Sequence, residues 1–175
     1  MEIYKDSEIK YLDNFLLQEE LDKINYWVSV AKWDHHKSYE HPSDNWIDNI
    51  QLLSDPELLD PIKQRIASLF PDHFLEGPDV LQRTRIGDDL VQHVDQIKNS
   101  DIAYGVVIYI NDDFEGGETH YSEKNISFKA KKNTLIVHPG NQEYRHGVNK
   151  VVSGSERVVL VAFLYNNPFI GRLQK

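Results

Sequence analysis

From Val80 to Tyr165 the chain is a succession of short apolar runs divided by turn signals: VLQRTRI, GDD, LVQHVD, IAYGVVIYI, NDDFEGG, NISF, TLIVH, PGN, EYRHGVNKVV, SGS and RVVLVAFLY. Seven or eight strands at this spacing, with no intervening run long enough for a crossover helix, predict an antiparallel sandwich or barrel. A doubly wound sheet is disfavoured, because every parallel pair needs a connection of about a dozen residues or more.

The first seventy-odd residues have helical character. In QEELDKINYWVSVAKW, the residues Leu17, Leu21, Ile24, Val28 and Ala31 fall on one helical face, with Asp13 or Asn14 as the expected N-cap. A second helix is predicted in DPELLDPIKQRIASLF, where Leu58, Leu59, Ile62, Ile66 and Leu69 share a side; Pro56 suits its first turn and Pro71 closes it. Pro61 conflicts with that run and favours a later start. The stretch WDHHKSYEHPSDNWIDN between the two helices is polar and aperiodic, and is expected to be loop. The 175 residues then form one domain, helical over 1–75 and packed against a β core over 80–165.

Composition narrows the chemistry. There is no cysteine, which removes disulfides, thiolate nucleophiles and sulfur-ligated metals, so any metal must use His, Asp or Glu. Nineteen Lys and Arg against 28 Asp and Glu give a net charge of −9, and Lys129, Lys131 and Lys132 form the densest basic tract. Nucleic acid is therefore not the expected partner, since its binding rests on clustered cations. The longest apolar runs are about half the ~20 residues of a membrane helix, and MEIYKDSEIK lacks a signal-peptide core. A soluble, cytoplasmic protein without membrane partners is expected.

Eight histidines direct attention to ligand patterns. His93 and Asp95 stand two apart at the end of a predicted strand, a spacing that places both side chains on one face. Alone the pair is a weak signal. His146 in EYRHGV adds a second imidazole from another strand, on the face that Tyr144 and Val148 would share. Two imidazoles and a carboxylate can occupy one face of an octahedron, leaving three positions open, which suits a non-haem Fe(II) oxygenase. Arg157 opens RVVLVAFLY on the face of Val159, Val161 and Phe163. A charge in an apolar stripe needs an anionic partner, either a dicarboxylate ligand or a surface acid near Glu156.

The segments TRIGDDLVQHVD, YINDDFEGGET, LIVHPG and HGVNKVVSGSER, in this order between Val80 and Tyr165, resemble the Fe(II)/2-oxoglutarate dioxygenases of the prolyl 4-hydroxylase type. YINDDFEGGET is the most specific of them, and LDNFLLQEELDKI resembles the family's entry helix. The resemblance implies a mainly β fold, the double-stranded β-helix or cupin-like jelly roll, with N-terminal helices packed against it. It implies His93, Asp95 and His146 as iron ligands, Arg157 as the partner of the 2-oxoglutarate C5 carboxylate, and Tyr109 as a hydrogen-bond donor to the same group. Fe(II), 2-oxoglutarate and dioxygen follow as cofactor and cosubstrates, with ascorbate as reductant. An aspartate at the third ligand position favours hydroxylation over halogenation. The implied reaction hydroxylates a C–H bond, most specifically of a prolyl residue in a peptide or protein, and releases succinate and CO2. A free amino acid or other small molecule is the alternative substrate, and a non-catalytic jelly-roll binding module the alternative of another class. Thr84 and Leu90 stand where that family usually carries aromatics, and the SGSER turn is one residue longer than usual. The acidic balance adds the expectation of a basic peptide.

Other residues carry weaker expectations. His35, His36 and His41, with Asp34, Glu40 and Asp44, resemble a second ligand cluster but are more simply a polar loop. Trp33, Tyr39 and Trp46 are read as packing residues. His120 is placed equally well at the barrel mouth or the surface, His138 is read as structural, and Gly116 and Gly117 as turn formers.

Overall fold

Fourteen strands, two α-helices and one 3-10 turn follow each other in a computed structural model that describes residues 2–4, 6–37, 47–96 and 101–167. The order is β1 (Glu2–Tyr4), β2 (Asp6–Asp13), α1 (Gln18–Val30), β3 (Asp34–Lys37), β4 (Ile47–Leu52), α2 (Pro56–Leu69), β5 (Phe74–Thr84), β6 (Leu90–His93) and β7 (Ile102–Tyr109). It continues with β8 (Phe114–Gly116), β9 (Thr119–Tyr121), β10 (Ile126–Phe128), β11 (Thr134–Pro139), the 3-10 turn Gln142–Tyr144, β12 (His146–Val148), β13 (Val151–Gly154) and β14 (Arg157–Tyr165).

The strands form an eight-stranded sheet, β1-β2-β11-β7-β14-β5-β4-β3, a four-stranded sheet, β10-β9-β12-β6, and the ribbon β13-β8. Every pairing between these strands is antiparallel. This is the expected jelly roll with helices against it.

Alternation along the central strands sorts side chains between two cores. On β14, Val158, Leu160, Ala162 and Leu164 face the helices and join Leu81, Val106, Ile108, Leu135 and Val137, against which Leu21, Ile24, Leu58, Ile62 and Ile66 pack. The opposite face, through Val159, Tyr109, Ile136 and Ile9, meets Tyr121, Phe128 and Tyr144 of the smaller sheet and its flanking turn. The helices thus close one face of the large sheet, and the interior of the barrel lies on the other.

Several local expectations are corrected. The helix α1 is capped at Leu17, not at Asp13 or Asn14. The backbone N–H of Leu17 donates to the Glu20 carboxylate at 2.8 Å, and Phe15 and Leu16 are drawn into the core ahead of it. The helix α2 begins at Pro56 and runs through Pro61, because Asp55 caps it by accepting from the Leu58 N–H and Pro61, on the exposed side, removes only one internal bond. Leu69 is 37% exposed, and Phe70 takes the buried place instead.

The stretch read as loop contains β3 and the first half of β4, which extend the large sheet at its edge through pairing of β4 with β5. Asp34, His35 and His36 lie on β3, while Tyr39, Glu40, His41, Asp44 and Trp46 lie outside the described residues. Trp33 is a packing residue, as expected: it lies against the helical core with the Arg83 guanidinium 4.7 Å from its ring centroid. No helix among the described residues is long and apolar enough to cross a membrane.

Candidate active site

A cavity of about 470 Å3 opens on the inner face of the large sheet. His93 ends β6, Asp95 lies just beyond it, and His146 begins β12; the register that pairs His146 with His93 brings the three together. One ligand atom from each lies within 4.8 Å of the other two. The Nε2 atoms of His93 and His146 are 3.6 and 3.9 Å from Oδ1 of Asp95.

The outer ring nitrogens are tied to backbone. Nδ1 of His93 lies 3.0 Å from the Val91 carbonyl and Nδ1 of His146 3.0 Å from the Tyr144 carbonyl. Donation to these carbonyls directs both Nε2 lone pairs toward Asp95, the orientation a metal ion requires. Tyr144, expected on the strand beside His146, lies in the preceding 3-10 turn, packs into the inner core and donates to Asp6 at 2.7 Å.

Burial without a counter-ion disturbs the acid–base behaviour of the group. Desolvation pushes the Asp95 carboxyl up to about 6, partly offset by His93. Burial, with the Arg157 charge adding to it, lowers His146 to about 4. A divalent cation would reverse the penalty on Asp95 and use His146 in its neutral form, so the donor set fits a metal of the iron type.

Two glycines let the ligand strands close. A β-carbon on Gly105 would stand 2.3 Å from Oδ2 of Asp95, and one on Gly147 would stand 2.5 Å from the Leu90 carbonyl.

Arg157 begins β14 and is 3% exposed. The surface acid Glu156 pairs with Arg83 at 2.9 Å instead. Nη2 of Arg157 donates to Tyr109 Oη at 3.2 Å and Thr119 Oγ1 at 3.4 Å, and the guanidinium lies 4.9 Å from the Tyr109 ring centroid. Its Nε has no partner among the described residues. Among the described residues this buried guanidinium is held by neutral hydroxyls and keeps one unpaired N–H, and as part of a residue lining the cavity it fits an anionic ligand.

Three inward residues are not assigned to the site by the sequence: Thr119 and Tyr121 are given no role there, and His138 is read as structural. Thr119 and Tyr121 alternate inward on β9 and line the cavity. His138 is 2% exposed, with Nε2 3.9 Å from Oδ2 of Asp95, so this imidazole borders the candidate metal group. Burial drives it well below the ordinary histidine range and raises the Tyr121 phenol well above its own. His120 does not line the cavity, and Thr84 is buried opposite Arg157 in the β5–β14 register. Leu90 lines the cavity near His93.

Residues 80–165 match the family described as the 2OG-Fe(II) oxygenase superfamily. The matched span is the strand region from β5 to β14, and over it the chain is a 2OG-Fe(II) oxygenase. No curated protein matches this oxygenase in sequence. Among solved structures it is similar to the viral collagen prolyl hydroxylase of Paramecium Bursaria Chlorella virus-1 in its 2OG complex, at 18% identity and a TM-score of 0.69, over 92% of this chain and 97% of that one. A prolyl hydroxylase from Trichoplax adhaerens, in complex with a hypoxia inducible factor peptide fragment, is similar at 14% identity and TM-score 0.67, over 91% and 84%. A Pseudomonas putida prolyl-4-hydroxylase is similar at 16% identity and TM-score 0.61, over 92% and 94%. At these identities the structures establish a shared fold. The family establishes the general reaction, an oxygenation that depends on Fe(II), 2-oxoglutarate and O2.

Proposed function

We propose that this oxygenase hydroxylates a prolyl residue in a peptide or protein, with His93, Asp95 and His146 holding Fe(II) and Arg157 with Tyr109 holding the distal carboxylate of 2-oxoglutarate. The observation that carries the assignment is the placement of the three-ligand group and of Arg157, free of any carboxylate partner among the described residues, on one cavity. Bound iron would supply oxidation of an unactivated C–H bond, coupled to decarboxylation of the cosubstrate.

The chain's own residues do the rest. The Val91 and Tyr144 carbonyls fix the two imidazoles, and the His146 and Asp95 side chains are only 10% and 7% exposed. Arg157 and Tyr109 set the depth at which a dicarboxylate stops. Val80, Val161 and Phe163 make an apolar wall, with Glu76 and Asp79 on the same cavity. That lining suits a proline ring on a peptide with basic flanks.

The prolyl assignment is tested by incubating the iron-loaded protein with 2-oxoglutarate and proline peptides flanked by lysine. Peptide-stimulated succinate release, with gain of one oxygen on proline by mass spectrometry, is expected. Succinate release stimulated by free amino acids and by no peptide would overturn the peptide assignment while leaving the cosubstrate site intact.

A further inference from the structure

Tyr121 ends β9 opposite His146 in the β9–β12 register. Its side chain is fully buried, with ring centroids 6.0 Å from Phe128, 5.4 Å from His138 and 5.6 Å from His146. The ring is therefore held on several sides by packing. Its hydroxyl is different: in a residue that lines the cavity, it is buried and without a hydrogen-bond partner among the described residues.

The neighbouring phenols are satisfied. Tyr109 Oη shares a hydrogen with Thr119 Oγ1 at 2.5 Å and receives from Arg157, and Tyr144 donates to Asp6. Phenylalanine would keep the packing of Tyr121 without burying an unpaired hydroxyl, so the oxygen is unfavourable in the ligand-free protein. Among the described residues, the Nε of Arg157, a residue that also lines the cavity, is a second buried donor without a partner. Two unpaired donors in residues lining a cavity that also holds a metal-ligand group suit an anion larger than one carboxylate.

We propose that Tyr121 donates a hydrogen bond to a carboxylate oxygen of 2-oxoglutarate, as a cosubstrate contact additional to Arg157 and Tyr109; this rests on the cosubstrate site proposed above. The hydroxyl is thus a specificity element of the cosubstrate pocket. A 2-oxoacid whose carboxylates do not reach it leaves it unpaired, which counts against binding.

The test uses the full chain loaded with Mn(II), a redox-silent stand-in for iron, and compares wild type with Tyr121→Phe. Titration calorimetry with 2-oxoglutarate is expected to show Kd raised roughly 10- to 100-fold, the range of a hydrogen bond to a charged group. Mn(II) affinity should stay within about twofold, and Tm of the ligand-free variant should equal or exceed that of wild type. Stability and ligand affinity then move in opposite directions, which a purely structural tyrosine would not produce. An unchanged Kd for 2-oxoglutarate would overturn the contact, and so would a variant that loses Tm, metal and cosubstrate affinity together. Absence of 2-oxoglutarate binding by the wild type would overturn the cosubstrate site itself, an outcome distinct from failure of Tyr121 alone.

Discussion

Gly105 and Asp95 approach so closely that a methyl group on the glycine would stand 2.3 Å from Oδ2 of the aspartate, and 2.7 Å from Cε1 of His138. Gly105 is in the middle of β7, paired with His138 on one side and Phe163 on the other, so its backbone cannot retreat without disturbing three strands. The carboxylate must move instead. Gly105→Ala is expected to lower metal affinity at least about tenfold and stability by about 1–3 kcal/mol, the cost of overpacking. Fe(II) or Mn(II) titration beside far-UV circular dichroism checks this, and metal affinity equal to wild type would contradict it.

Arg157 is a buried cation in contact with neutral groups. Arg157→Met keeps much of the volume and removes the charge, so ligand-free stability should hold or rise. Cosubstrate affinity should fall by about 3 kcal/mol, roughly 100-fold, as a buried charged pair loses one partner. Calorimetry with 2-oxoglutarate and thermal melts measure both quantities, and unchanged affinity would remove Arg157 from the site.

The strands that follow Val80 could be read because apolar and polar positions alternate with turn residues between them, and that alternation also placed Arg157 on the face of Val159, Val161 and Phe163. Pairing of His146 with His93 needed the three-dimensional register, which spacing alone does not give. The strands β3 and β4 were hidden because DHHK and IDNIQL form an edge hairpin with no clear apolar alternation. His138 was hidden for another reason. TLIVHP is buried throughout, so nothing in the sequence distinguished the face toward Asp95 from the face toward the helices. Tyr121 lies on β9, a three-residue strand with no apolar run to announce it, and only its unpaired hydroxyl marks it out.

The metal-free protein should lose stability in acid. Between about pH 4.5 and 6, unfolding lets His146, held at about 4, and His138, held well below its ordinary value, each take up a proton. Asp95 works the other way: its folded value of about 6 means that the folded state holds a proton the unfolded chain releases. Two protons gained against one lost leave the unfolded state richer by about one, so stability rises with pH by about 1.4 kcal/mol per unit. Bound metal keeps Asp95 ionised and steepens the slope. Denaturant melts at pH 5 and 6 with chelator present check the sign, and greater stability at pH 5 would contradict it.

The central claim, that the triad and Arg157 build one metal and cosubstrate site, is tested most directly by anaerobic titration of the metal-free protein with Fe(II) and then 2-oxoglutarate, following the visible charge-transfer band. The band should appear with wild type, vanish with His146→Ala and require much higher 2-oxoglutarate with Arg157→Met. A folded wild type that binds Fe(II) yet gives no band at saturating 2-oxoglutarate, or a band that survives His146→Ala unchanged, would contradict it.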